Sequence, residues 1–196
     1  MAVLQVVKMG HPILRKKAKK VKNVESVVKL VRDMQETLEY IGASGLAAPQ
    51  VLVEKRVVVY RVRKDRIPQN ADFTSIPWTV MINPKISPIS KKKKMFWERC
   101  LSIPGLHGKV PRYDKIKIEY LTLDNKKEVK VAKSTWAALL QHECDHLDGI
   151  LYPMRMSDLS KLSFNDVPGE VASEASKSKK NIDPLFLKLV EDWQSK

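Results

Sequence analysis

The chain runs to 196 residues and carries 36 Lys and Arg against 22 Asp and Glu, a net charge of +14. That length fits one domain with a sizeable hydrophobic core, and no apolar run is long enough to span a bilayer. Two cysteines make no disulfide framework, and reduced thiols point to the cytoplasm as the default compartment.

No acidic residue precedes Glu25, whereas Lys8, Arg15, Lys16, Lys17, Lys19 and Lys20 are basic. An organelle transit segment is also acid-poor, but it is Ser-rich, and this stretch has no Ser. It reads as mature protein, with an organelle as the lesser alternative. Asn23 predicts an N-cap for a helix over 24–41, where Val24, Val27, Val28, Val31, Met34 and Leu38 keep the helical period. Gly42 ends that helix and leads into a loop over 45–50. Stretches 57–60, 80–82 and 116–121 read as strands. Loops around 68–77 and 84–94 carry the Pro and Lys. Asp124 and Asn125 mark a turn before a strand at 128–131.

Ser134 predicts the N-cap of a second helix, in which Trp136, Ala137, Leu139 and Leu140 form an apolar run. Gly149 falls where that helix should stop. After Met156 the composition turns polar, and 157–182 reads as a mobile segment. Asp183 and Pro184 then resemble an N-cap and first helical position for a helix over 183–194, with Phe186, Leu189, Val190 and Trp193 on one face.

The second helix carries the chemistry, in Gln141-His142-Glu143-Cys144-Asp145-His146. Histidines four apart stand on one face, one turn from each other, so both can bind one metal ion, and Glu143 can reach a water that the ion activates. The pattern points to metal-assisted hydrolysis of an amide bond. Such a site needs a third ligand. Tyr152 stands where one helix-borne solution would place another His, and only His11 and His107 remain. Glu170 and Glu174 are candidates in a polar stretch, and Cys100 is the stronger one. Cys144 lies off the histidine face and reads as a small buried residue.

Three runs occur in order: Gly45-Leu46-Ala47-Ala48-Pro49-Gln50, Glu98-Arg99-Cys100-Leu101-Ser102 and His142-Glu143-Cys144-Asp145-His146. They resemble the signature motifs of the peptide deformylases, and the resemblance extends from near Met1 to about Met156. It departs in two places. Ala43 and Ser44 replace a Gly and an apolar residue before the first motif, and Arg99 replaces the Gly that the family keeps before the cysteine. Extended geometry turns Arg99 to the face opposite Cys100 and out of the cleft; the alternative is that it reaches over the cleft mouth, adding a cation that favours acidic residues downstream of the methionine.

The resemblance implies an α+β fold with short antiparallel sheets packed around the helix that bears the metal motif. It implies a catalytic domain over 1–156 and a C-terminal helix beyond the polar segment. Cys100, His142 and His146 are the implied ligands of one divalent ion, Fe(II) by resemblance, with Zn, Ni or Co able to take its place. Glu143 is the implied general base that then passes the proton to the leaving amine. Gln50 and the Leu101 N–H are implied oxyanion donors. Gly45 offers main-chain contacts, and Ala138 and Leu139 wall a slot for methionine. Glu98 and Arg112 pair to steady the cysteine segment.

The implied substrate is an N-formylmethionyl peptide emerging from the ribosome, handled by a monomer. The lysine clusters, Lys91 to Lys94 among them, read either as solvated loops or as attraction to ribosomal RNA, without base recognition. Two rival classes stay open: another metallopeptidase with Glu170 or Glu174 as ligand, and a basic ribosome-associated protein whose catalysis Arg99 has blocked.

Overall fold

A computed structural model describes residues 2–67 and 74–165. The Asn23 side chain accepts from the Glu25 N–H and caps a turn at Val24–Val27. That turn is 3-10 rather than α, so the first α-helix, α1 (Val28–Ile41), begins later than its period suggests. Val24 and Val27 are β-branched and stiff, which weakens the first α-turn. Gly42 ends α1 in the left-handed region at φ 74°, and its N–H reaches the Leu38 and Glu39 carbonyls. Glycine adopts that conformation without steric cost.

Five strands form an antiparallel sheet in the order β1, β2, β3, β6, β7. These are β1 (Gly45–Ala47), β2 (Val57–Val62), β3 (Ile76–Pro88), β6 (Lys115–Leu121) and β7 (Lys127–Lys133). A second sheet orders β4 (Lys93–Cys100), β5 (Ile103–Tyr113) and β8 (Leu162–Phe164). The stretch 84–94 is therefore mostly strand and not a loop. Pro84 falls within β3 at a register shift between Ile82 and Lys85, beside Asn83 at φ 53°. A bulge is where a strand tolerates Pro, since no ladder N–H is needed there. The Asn83 side chain secures it by bonding both the N–H and the carbonyl of Val21.

The second helix, α2 (Ser134–Leu147), packs Ala137, Leu140, Cys144 and Leu147 against Val58, Met81, Ile116 and Ile118 of the larger sheet. Ser134 is not its N-cap. Lys133 holds that position without a side-chain capping bond, and Ser134 sits at φ 51° with its N–H on the Asp114 carbonyl. The tie to the β5–β6 turn sets the entry angle of the helix. Gln141 adds a second tie: its amide accepts from the Tyr113 N–H and donates to the Tyr113 carbonyl.

Within the stretch after Met156, Leu159–Lys161 form a 3-10 turn and Leu162–Phe164 form β8, which pairs with Leu106 to Gly108 of β5. The C-terminal helix expected over 183–194, with Glu170 and Glu174, lies outside the described residues.

Candidate metal centre

Cys100 ends β4 and faces α2. Its Sγ and one nitrogen each of His142 and His146 lie within 4.8 Å of one another, and all three residues are buried. Sγ stands 3.3 Å from His146 Nε2. One thiol and two imidazoles converging in a buried place suit a divalent first-row ion with one position left open. Glu143, between the histidines, has Oε2 buried without a hydrogen-bond partner among the described residues. A buried carboxylate oxygen left so is costly unless water or substrate bonds to it. Burial accordingly pushes the metal-free Glu143 carboxyl up to about 7; a cation nearby would pull it back down.

Behind the donors lies a buried charge network. Glu98 Oε2 is 2.7 Å from His142 Nδ1, which leaves Nε2 as the nitrogen that ring can offer to an ion. Arg112 donates to both Glu98 oxygens, at 2.6 and 2.9 Å, and with its other nitrogen to Asp145. Arg155 adds two more bonds to Asp145. Burial alone would raise the Glu98 carboxyl, but Arg112 overrides it and holds the group at about 2. Burial opposes the charged His142 ring as well, yet in the metal-free chain Cys100 and Glu98 raise it, whereas burial lowers His146. A carboxylate behind a ligating imidazole fixes its tautomer and orientation.

A cavity of about 470 Å³ opens over this centre. Its wall includes Gly45, Gln50, Leu101, Ala138 and Leu139, together with the donors Cys100 and His142. Gln50 is buried and held at both ends. Its Oε1 accepts from the Ala47 N–H, and its Nε2 points to Ser102 Oγ at 3.2 Å and Cys100 Sγ at 3.7 Å. Gly45 is required for space. A Cβ there would overlap Glu143 Oε1 and stand 2.6 Å from its Cδ. Gly45→Ala is therefore expected to displace the Glu143 carboxylate and cut turnover about tenfold or more, since a misplacement near 1 Å can cost ~10²-fold. Steady-state kinetics on the metal-loaded variant checks this; unchanged kcat would contradict it.

Every site residue singled out from the sequence, from Gly45 to His146, lies at or around this cavity. His11 and His107 do not: His11 caps a turn, and His107 Nδ1 meets Asn165. Four contributors escaped the sequence reading: the Glu98–His142 bond, Ser102, Asp145 as an anchor, and Arg155. Asp145 had a signal, lying three residues after His142 and so on nearly the same helical face. Arg99 is exposed and stands among the residues that line the cavity.

A sequence model of the polypeptide deformylase family matches residues 3–162. The chain is 39% identical over 173 residues to peptide deformylase 1 of Nitrosomonas europaea, spanning 86% of this chain and 97% of that protein. Identity to peptide deformylase 1 of Prochlorococcus marinus is also 39%, over 84% of this chain and 86% of the relative. Among solved structures, a class I type b peptide deformylase from Acinetobacter baumannii with Met-Ala-Ser bound matches with a TM-score of 0.71 at 35% identity, over 79% of this chain and 99% of that one. The peptide deformylase of Ehrlichia chaffeensis matches with a TM-score of 0.73 at 33% identity, over 82% and 91% of the two chains.

Proposed function

We infer the chemistry of this centre from one premise: the chain belongs to the polypeptide deformylase family. It is an amide hydrolase that removes the formyl group from N-formylmethionyl nascent polypeptides. The observation that carries the mechanism is the convergence of Cys100, His142 and His146 beside Glu143 at the cavity floor.

Cys100, His142 and His146 would hold one divalent ion. When bound, such an ion supplies Lewis acidity, making hydroxide available near neutral pH and polarising a carbonyl. Glu143 takes the proton from the attacking water and returns it to the amine as the C–N bond breaks, yielding formate and a free amino terminus. The Gln50 amide is held ready to donate to the formyl oxygen as it gains charge, and the Leu101 N–H is the second donor. Ala47 and Ser102 fix the plane of Gln50, and the amide hydrogen that meets Cys100 Sγ only at 3.7 Å is the one that would turn to the formyl oxygen.

The substrate backbone would lie between two strand edges that no described strand pairs, since β1 and β4 each end their sheet among the described residues. An extended peptide adds there as a strand, with Gly45 giving main-chain contacts. Ala138 and Leu139, buried and half-buried on α2, wall the slot for the methionine side chain.

Fe(II) is the ion we assign, with Zn, Ni and Co as substitutes. Air should then inactivate the Fe(II) form faster than the Ni(II) form, because both iron and the Cys100 thiolate oxidise. Equal decay of the two in an aerobic time course would contradict this assignment. The thiolate also supports a reducing, cytoplasmic setting. No helix among the described residues is long and apolar enough to cross a membrane. The charge of +14 supports a transient approach to ribosomal RNA by a monomeric enzyme.

Product analysis tests this function. Formyl-Met-Ala-Ser incubated with metal-loaded protein should give formate and intact Met-Ala-Ser. Cleavage of the Met–Ala bond instead would identify a peptidase.

A further inference from the structure

The 3-10 turn Tyr152–Arg155, which follows α2, has no part in the chemistry just described. It is nonetheless tied to His142 from both of its ends. The buried Tyr152 ring faces the His142 ring in a stacked arrangement, 6.4 Å between centres and 23° between planes. Arg155 grips Asp145 with two nitrogens, Nε on Oδ2 at 3.2 Å and Nη2 on Oδ1 at 2.8 Å. The turn is seated closely on β5. A Cβ on Gly108 would stand 2.6 Å from Met156 Sδ and 2.8 Å from Tyr152 Cε2, so only the bare glycine lets the turn close down there.

From Arg155 the bonds run inward without a gap. Asp145 Oδ2 also accepts from Arg112 Nη1, the other two Arg112 nitrogens hold Glu98, and Glu98 Oε2 meets His142 Nδ1. Side-chain exposure falls along this chain, from 46% at Arg155 to 11% at Asp145 and 3% at Arg112, so Arg155 is the link that reaches solvent. Glu98, Asp145 and Arg112 by themselves set two carboxylates against one guanidinium. A buried negative charge left over in this way is costly. Arg155 balances it, and its planar fork meets the Asp145 carboxylate on both oxygens.

We propose that Arg155 is a positioning residue for the metal centre: it balances the Asp145–Arg112–Glu98 chain and thereby keeps His142 in register with Cys100 and His146. The proposal rests on the metal reading given above and adds a residue to it. With Arg155 gone, Asp145 has Arg112 alone among these partners and competes with Glu98 for that guanidinium. Glu98 is then held less firmly, and so is the His142 ring in front of it. Losing a direct partner of a ligating histidine costs about 10–100-fold in metal affinity; Arg155 acts through Asp145, Arg112 and Glu98, so roughly three- to tenfold is expected. A Coulomb effect alone has the opposite sign, because removing a cation from the neighbourhood of a divalent ion should help to retain that ion. The direction of the change therefore separates positioning from plain charge. Salt should weaken the half-exposed Arg155–Asp145 pair and mimic the substitution in part.

The test loads Co(II) without oxygen into the native chain, Arg155→Met and Arg155→Lys. Methionine keeps an unbranched stem without the charge, and lysine restores the charge without the fork. The visible Co(II) bands report the coordination geometry, and loss of the ion to EDTA is timed at low and high NaCl. Arg155→Met should shift the bands and lose Co(II) about three- to tenfold faster than the native chain, with Arg155→Lys between the two. Salt should speed the loss from the native chain and leave Arg155→Met unchanged. Native bands and an unchanged or slower loss in Arg155→Met overturn the proposal, even where its metal-free melting temperature falls, since Arg155 is then a structural contact only. Should Arg155→Met not fold, the native chain and Arg155→Lys decide, and a loss rate that neither salt nor lysine alters overturns the proposal. A native chain that takes up no Co(II) sinks the metal reading itself, whereas firm native retention with an unaffected Arg155→Met sinks this proposal alone.

Discussion

Glu143→Ala should retain the metal and lose about 10²–10⁴-fold in kcat, the usual worth of a positioned acid–base group. Metal is retained because the three converging donors are Cys100, His142 and His146, and Glu143 is not among them. Turnover is lost because no other carboxylate among the described lining residues is available: Glu98 is committed to Arg112 and His142. The companion Glu143→Gln separates catalysis from stability. In the metal-free protein the folded carboxyl titrates at about 7, above its ordinary 4.5, because burial disfavours its charged form. A raised acid is an asset only below its unfolded pKa, and that stability is lost as pH rises towards the folded value. Metal-free Glu143→Gln should thus be more stable than the native chain at neutral pH, by about 3 kcal/mol, and match it near pH 4. Denaturant melts at the two pH values check this, and metal analysis with kinetics checks the rest. Near-normal kcat in a metal-loaded Glu143→Ala protein would remove Glu143 from its role.

Glu98→Gln should act at a distance from the substrate with an effect of similar size. The change removes the anion that orients His142 and neutralises Arg112 in a nearly water-free place. Removing one member of a buried pair costs about 3–5 kcal/mol, because the other charge stays buried. Asp145 still faces Arg112, so the lower end is expected. Loss of a carboxylate behind a ligating histidine weakens metal binding about 10–100-fold. The pH dependence follows from the Glu98 carboxyl, lowered from 4.5 to about 2 in the folded chain. A depressed acid stabilises above its unfolded pKa, and that contribution is lost as pH falls towards the folded value. The stability gap between the native chain and Glu98→Gln, measured metal-free, should therefore close between about pH 4.5 and 2. A gap independent of pH would mean that the carboxylate charge is not what stabilises the network.

Much of the site was legible because it is local. The two histidines and Glu143 lie within one helical turn, so their spacing alone puts them together. Cys100 was legible as the stronger third-ligand candidate and again through the resemblance, although nothing in its own segment says that β4 ends against α2. The Glu98–His142 contact joins residues 44 apart in sequence, and only the antiparallel register of β4 and β5 turns Glu98 towards the helix. Elements failed to read where backbone irregularity replaced pattern. Proline at 84 suggested a loop, but a bulge at Asn83 absorbs it. Ser134 offered a capping hydroxyl, but a backbone bond to Asp114 starts the helix. Leu162–Phe164 is too short and polar-flanked to show period-two alternation, and it gains strand structure from the β5 edge alone.

The central claim is that formyl hydrolysis depends on a metal held by Cys100, His142 and His146. Its most direct test is formate release from formyl-Met-Ala-Ser, with bound metal counted in the same samples, by the native chain and by Cys100→Ala, both purified without oxygen. The native chain should carry one metal ion and release formate catalytically. Cys100→Ala should lose the ion, the activity, or both. A variant that keeps stoichiometric metal and near-native formate release would contradict the claim and point to a third ligand elsewhere in the chain.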